Sequence, residues 1–295
     1  MGLERPSSQV TPMQRALVLG GSGFVGRELS EYFHCPGTSL TPREGLLTVD
    51  ATRVDDLRAK IGSLSPELLV NCVGLADVDR AEREPGLADS LNRLVVENLA
   101  RIQPPMGFRL VHISTDYVFD GSKGDYRETD PVHPINEYGR SKLRGEEAAQ
   151  PLADALTVRI SSPYGRGFGA RKPQFFRYAM DNLRSGKPVK ALTDQRVTAT
   201  FLPDLARAIE TLTQRSASGI VHVGSAEPLT RFEFAQKVAK VVGADPALVA
   251  PGLRSDMTQW TASRPNDTSL NVERSKGLGV EYTSVEGALR ELLPS

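Results

Sequence analysis

The sequence predicts an α/β fold built on a doubly wound parallel sheet, and three observations carry that prediction. Short runs that are apolar on both faces recur along the chain, segments of helical periodicity lie between them, and a glycine-rich turn follows the first run. The runs are Ala16-Leu17-Val18-Leu19, Leu68-Leu69-Val70-Asn71, Leu110-Val111-His112-Ile113-Ser114 and Leu156-Thr157-Val158-Arg159-Ile160. Strands buried on both sides read this way because helices cover each face of a parallel sheet. After the first run, Phe24, Val25 and Leu29 fall on one helical face, and Leu91, Leu94, Val95 and Leu99 make a similar stripe later, both expected to pack into the core. Two capping boxes, Thr230 with Glu233 and Thr283 with Glu286, predict helix starts near 231 and 284.

The length of 295 residues suits a dinucleotide-binding domain carrying a smaller substrate-binding part. The expected division is a loose polar leader over 1–13, the dinucleotide domain over 14–160, and the substrate part over 161–295 with some elements returning to the first domain. Lys plus Arg and Asp plus Glu balance at 36 each, so neither nucleic acid nor an anionic membrane is expected as partner. No apolar stretch approaches the ~20 residues that span a bilayer. The two cysteines, Cys35 and Cys72, form no CxxC spacing, and a reducing cytosol is the expected compartment. Whether identical chains assemble is left open.

Gly20, Gly23 and Gly26 occupy the turn between the first strand and the first helix. Glycines there allow a sharp turn and bring a pyrophosphate close to free N–H groups at a helix N-terminus. The spacing is GxxGxxG, not the commoner GxGxxG. Tyr138 and Lys142 stand four residues apart, so a helix presents both on one face, and a cation near a phenol favours the phenolate. Upstream, Ser114-Thr115-Asp116-Tyr117-Val118-Phe119-Asp120-Gly121 begins at the carboxyl end of a predicted strand, where open parallel sheets bind ligands.

Glycine loop, Thr115, Tyr138 and Lys142 in this order resemble the extended short-chain dehydrogenase/reductases. The segment STDYVFDG followed by YGRSKLRGE is most similar to the dTDP-4-dehydrorhamnose reductase family. Further resemblances run along nearly the whole chain. Asn71-Cys72-Val73-Gly74 and Val78-Asp79-Arg80-Ala81-Glu82 match two family segments, with Leu75 in place of an aromatic residue; Asp194-Gln195 with Thr200 and Asp204-Leu205-Ala206 match another; and Arg264-Pro265 with Ser269-Leu270 resemble its RPxxSxL.

The resemblance implies an enzyme that reduces the keto group of a 4-keto-6-deoxy nucleotide sugar with NADPH, NADH being the alternative donor. It implies that Thr115 hydrogen-bonds the keto oxygen, that Tyr138 protonates it as hydride reaches carbon, and that Lys142 holds the cofactor ribose while lowering the Tyr138 pKa. Gly20, Gly23 and Gly26 would cradle pyrophosphate, with Asp50 near adenine and Phe24, Val25, Ala51, Cys72, Val73 and Gly74 along the cofactor. Asp116, Tyr117, Ser162 and Arg264 would meet substrate, and Arg159, Arg166, Arg171 and Lys172 would offer positive charge to its diphosphate. Related outcomes on the same machinery are an epimerase or dehydratase of a nucleotide sugar, or a cofactor-binding protein without turnover that resembles the regulatory subunit of methionine adenosyltransferase.

One departure bears on specificity. Relatives read RTSWVYG where this chain reads Arg159-Ile160-Ser161-Ser162-Pro163-Tyr164-Gly165, so Ser162 replaces a tryptophan expected against the sugar. Arg43 sits where the second strand is expected to end and could pair with a 2′-phosphate; Asp50 reads equally as a turn aspartate. His34, His112, His133 and His222 form no metal-binding spacing, and Glu128 and Asp130 are read as solvated loop charges.

Overall fold

The computed structural model describes residues 15–166 and 174–293, which leaves the 1–13 leader, Arg171 and Lys172 outside the described residues. The strands are β1 (Ala16–Leu19), β2 (Gly37–Ser39), β3 (Leu46–Thr48), β4 (Leu68–Asn71), β5 (Arg109–Thr115) and β6 (Ala155–Tyr164). They continue as β7 (Val189–Leu192), β8 (Arg196–Val197), β9 (Ala199–Phe201), β10 (Gly219–His222), β11 (Leu229–Thr230) and β12 (Val249–Gly252). The main sheet is parallel throughout in the order β10-β6-β5-β4-β1-β2-β3, with β9 also paired to β6. Strand order reverses between β1 and β4, so a crevice opens beyond their carboxyl ends at the point where such sheets bind ligands.

The four apolar runs became β1, β4, β5 and β6, and their residues fill two cores, one on each face of the sheet. Val18, Val70, Val111 and Val158 face one core, while Leu17, Leu69 and Leu110 face the other, as alternation along a strand requires. Of the helical stripes, Leu29, Val95 and Leu99 are fully buried, and Phe24 and Val25 pack at the margin. A third core, around Tyr164, Phe176 and Phe234, belongs to the C-terminal part.

The boundary at 160 falls inside a single strand, because β6 runs on to Tyr164. The helix Leu202–Gln214 and β10 return to the first domain, the helix packing Leu205, Ile209 and Leu212 into the core beside β1 and β6. The Thr230–Glu233 capping box forms and starts the helix Arg231–Val242. Near 284, by contrast, the cap is Ser284, which accepts from Gly287 N, and the helix starts at Val285. Thr283 instead donates to Asp204 Oδ1 at 2.8 Å, a partner 79 residues away.

Behind β5 the helix Glu137–Ala149 is fixed by an ion pair. Arg159 Nη2 lies 2.6 Å from Glu146 Oε2, with the side chains 2% and 4% exposed, and Ser114 Oγ donates to Glu146 Oε1 at 2.5 Å. Arg159 also lies over the Phe119 ring. The expectation that Arg159 serves a bound diphosphate is therefore corrected: its charge is spent inside the sheet. Breaking a buried pair strands one charge without solvent, so Arg159→Met should cost about 3–5 kcal/mol. Pairing it with Glu146→Leu should recover most of that loss. Urea unfolding of Arg159→Met, Glu146→Leu and the double variant checks this, and losses that add in the double variant would show that the two residues act independently.

Candidate active site

A cleft of about 230 Å³ lies beyond the carboxyl ends of β4, β5 and β6 and is bordered by Val25, Cys72, Gly74, Thr115, Tyr138 and Lys142, among others. The turn at Gly20–Gly26 explains how the chain comes so close. Gly20 has φ +79°, and a Cβ on Gly26 would sit 2.3 Å from Gly20 O, so only glycine lets the helix Phe24–Tyr32 start against the turn. No side chain caps that helix, which leaves its N-terminal N–H groups available to an anion. These features fit a dinucleotide: an uncapped helix N-terminus for pyrophosphate and a groove over Cys72, Val73 and Gly74.

Tyr138 and Lys142 lie on the helix Glu137–Ala149, whose N-cap Asn136 accepts from Gly139 N at 2.8 Å. A Cβ on Gly139 would be 2.1 Å from Tyr117 O, so the first turn of this helix packs directly on the segment after β5. Lys142 Nζ donates to Ile113 O at 2.6 Å, and burial pulls its pKa down to about 8, with Glu146 and Cys72 opposing. Burial pushes the Tyr138 phenol above its ordinary value, opposed by a hydrogen bond with Thr115. The expected lowering of the Tyr138 pKa by Lys142 is thus corrected, since desolvation dominates and the ammonium is directed at a backbone carbonyl. At neutral pH the phenol keeps its proton, which is the form a proton donor needs.

Thr115 Oγ1 donates to Asp116 Oδ1 at 3.1 Å and accepts from Tyr117 N at 3.2 Å. The hydroxyl borders the cleft together with Tyr138 and Lys142. Asp116 is 2% exposed, and its carboxylate also receives Ser161 Oγ at 2.7 Å and Thr268 Oγ1 at 2.5 Å. Asp116 borders the cleft, and its carboxylate is occupied by these internal hydroxyls.

Other expected residues divide. Tyr117 and Ser162 line the cleft, and the Tyr117 hydroxyl accepts from Gln195 Nε2 at 3.3 Å. Arg264 is drawn away: it pairs with Asp79 at 2.9 Å and stacks on Trp260, so its charge holds a loop and not a ligand. Arg43 is exposed beyond the end of β2, and Arg166 donates to Glu291 O. Asp50 Oδ1 accepts from Thr52 N and Oγ1, which realises the turn reading, while Ala51 is buried in the core. Glu128, half-buried, accepts from His222 N at 3.0 Å. Burial pushes the Cys72 thiol up to about 12. Among the described residues no His, Cys, Asp and Glu group is arranged to hold a metal ion, and no helix is long and apolar enough to cross a membrane.

A second cleft, of about 280 Å³, meets the first at Ala76, Ser162 and Pro163. Its walls include Tyr164, Phe175, Phe176, Phe234 and the cation Arg231, whose guanidinium lies over the Phe175 ring and donates through Nε to Gln195 Oε1 at 2.7 Å. Arg231 was not singled out from sequence, and neither was Asn92. Asn92 sits in a π-helical turn, Ser90–Leu94, accepts from Leu75 N and donates to Ser141 Oγ, both at 2.8 Å. No spacing marks either residue; each acts through a partner distant in sequence.

A family model described as the RmlD substrate binding domain matches residues 13–295. The probable low-salt glycan biosynthesis reductase Agl14 of Haloferax volcanii is 33% identical over 290 residues, covering 94% of this chain and 96% of that protein. The dTDP-4-dehydrorhamnose reductase of Mycolicibacterium smegmatis is 34% identical over 277 residues, covering 90% and 81%. Among solved structures, dTDP-4-dehydrorhamnose reductase of Bacillus anthracis in complex with NADP superposes with a TM-score of 0.85 at 26% identity, over 94% of this chain and 98% of that one.

Burial of Lys142 has a measurable consequence. The native state holds this proton less tightly than the unfolded chain, where lysine keeps its ordinary 10.5, so stability should rise as pH climbs from about 8 to 10.5 and the cost of a buried ammonium disappears. NMR titration of the lysine side chains, assigned with Lys142→Arg, should show one midpoint near 8. A midpoint close to the ordinary value would show that the ammonium is solvated.

Proposed function

The chain belongs to the family described as the RmlD substrate binding domain, and from that premise we propose that it reduces the keto group of a 4-keto-6-deoxy nucleotide sugar with NADPH, NADH being the alternative donor. The observation that carries the reading is the meeting of Thr115, Tyr138 and Lys142 at one cleft beyond β5. The reductase names of the relatives support the reaction type, and the NADP held by the Bacillus anthracis protein supports the cofactor.

The reduced nicotinamide supplies the hydride for the keto carbon. The chain's residues deal with the proton and with position. Tyr138 Oη, protonated because it is buried, gives its proton to the keto oxygen as negative charge develops there. Thr115, hydrogen-bonded to the phenol, stands beside it at the border of the cleft. Lys142, anchored on Ile113 O, presents positive charge beside Gly74 and Cys72, where the cofactor ribose would lie. Free N–H groups of the Phe24–Tyr32 helix receive the pyrophosphate. No acidic side chain stands on β2 (Gly37–Ser39) to repel a 2′-phosphate, and exposed Arg43 lies four residues further on.

The second cleft suits the nucleotide. Its aromatic walls can stack a base, and Arg231, poorly solvated and held by Gln195, can pair with the diphosphate. The sugar then spans the passage at Ser162, where a tryptophan would narrow the way between the clefts.

NADPH oxidation followed at 340 nm with a panel of 4-keto-6-deoxy nucleotide sugars tests the function. Net consumption is expected; none with any of them would leave an epimerase, a dehydratase or a protein without turnover. Tyr138→Phe should keep cofactor affinity and lose at least ~100-fold in kcat, the usual scale for a positioned general acid. Near-wild-type turnover in that variant would remove Tyr138 from the chemistry.

Ser162 generates a separate expectation. Its φ of +39° lies in the left-handed region, so a bulky side chain there meets both backbone strain and the narrow passage. Ser162→Trp should lower kcat/KM for the nucleotide sugar by about tenfold or more with NADPH affinity retained, while Ser162→Gly should be tolerated. Steady-state kinetics on both variants decides, and an unimpaired Trp variant would show that the sugar does not pass Ser162.

A further inference from the structure

Residues 264–272 form a strap that leaves the C-terminal part and crosses the active-site loop. Its backbone is clamped on both sides. Arg196 N donates to Asn266 O at 2.7 Å and Thr268 N to Arg196 O at 3.1 Å on the β8 side; Asp267 N donates to Gly121 O at 3.1 Å and Asn271 N to Tyr126 O at 2.7 Å on the other. Gly121 and Gly124 admit the strap, since a Cβ on either would fall within 2.7 Å of Pro265 or Asp267. The clamp delivers one hydroxyl inward. Thr268 is 1% exposed, and its Oγ1 donates to Asp116 Oδ2. The hydroxyl of the RPxxSxL resemblance that reaches the site is therefore Thr268; Ser269 Oγ turns back to Asp267 Oδ1.

We propose that Asp116 is a positioning residue that sets the direction of the Thr115 hydroxyl, and that the strap, through Thr268, sets Asp116. Ser161 Oγ and Thr268 Oγ1 both donate to Oδ2, which fixes the carboxylate plane and leaves Oδ1 aimed at Thr115. A threonine hydroxyl has one proton and two acceptor sites. Asp116 takes the proton and Tyr117 N takes one lone pair, so the hydroxyl is held from both sides at the border of the cleft that Tyr138 also lines. Without Asp116, the Thr115 hydroxyl loses the partner that sets its direction beside Tyr138. A strap contributed by the C-terminal part thus reaches the proton donor through two carboxylate oxygens and one hydroxyl.

This inference rests on the reductase reading, and the test separates the two. kcat, KM and NADPH affinity are measured for wild type, Thr268→Val, Thr268→Ser and Asp116→Asn with a 4-keto-6-deoxy nucleotide sugar. Misalignment of a reacting group is felt mainly in the chemical step, so Thr268→Val should lose about tenfold and Asp116→Asn about 100-fold in kcat. KM and NADPH affinity should stay near wild type, and Thr268→Ser, which restores the hydroxyl, should recover the rate. Should Thr268→Val fail to fold, Ser161→Ala removes the other Oδ2 donor and should give the same split. A Thr268→Val enzyme with wild-type kcat, a loss carried by KM alone, or a loss that serine does not rescue would overturn the inference while leaving the reductase reading intact. Absence of turnover in the wild type would overturn both.

Discussion

Glu146 and Arg159 meet behind β5 with almost no access to water, and the placement of the whole Tyr138–Lys142 helix follows from their meeting. Glu146 lies one turn beyond Lys142, Arg159 lies on β6, and Ser114 on β5 closes the third side. Buried ions of opposite sign tolerate little separation, because each is the other's replacement for solvent. The helix therefore cannot slide along the sheet without stranding a charge. Gly139 and Gly145 remove the remaining slack: a Cβ on Gly145 would sit 2.3 Å from Asn92 O, as a Cβ on Gly139 would meet Tyr117 O. Such a pair contributes less to net stability than to uniqueness of position, and position is what a proton donor requires.

Desolvation then governs the chemistry of the cleft. The same burial that keeps the Tyr138 phenol protonated makes the Lys142 ammonium reluctant, and the two effects suit opposite tasks. A phenol that holds its proton can give it up once a neighbouring oxygen becomes strongly basic. An ammonium near its neutral point is strengthened when a phosphate-bearing ligand arrives, because the added negative charge favours its charged form. Occupancy of the cofactor groove and charging of Lys142 therefore reinforce one another. His112 lies behind this pair, held well below its ordinary pKa by burial and by Lys142, so it adds no competing charge.

Much of this was legible in the sequence, and the parts that were not share a cause. The parallel strands β1, β4, β5 and β6 declared themselves because both their faces are buried, and the glycine turn and the Tyr138–Lys142 spacing are local patterns. The capping box at Thr230 is local too. Arg159, Arg264 and Asp116 looked available as ligands of a substrate because sequence shows a side chain's charge and conceals its partner. Their partners stand at Glu146, Asp79 and Thr268, 13, 185 and 152 residues away. The same holds for Thr283, taken by Asp204 before it could cap its helix. Arg231 was overlooked for the converse reason: an arginine at the first position of a helix reads as surface, whereas here Phe175 covers it and Gln195 orients it.

The replacement of a family tryptophan by Ser162 acquires meaning from backbone geometry. β6 pairs with β9 through Ser161 and Tyr164 with an irregular register between them, and Ser162 sits in that irregularity with a left-handed backbone. Ser161 thereby turns inward to Asp116, while Ser162 faces the junction of the two clefts. One bulge thus serves two purposes at adjacent residues, fixing the carboxylate that orients Thr115 and setting the width of the passage. Changes in passage width at Ser162 can be made without disturbing Ser161, since the Ser161 hydroxyl is turned to Asp116 while Ser162 lines the two clefts. That separation gives this fold a way to alter which sugar it admits while the residues that move the proton stay where they are.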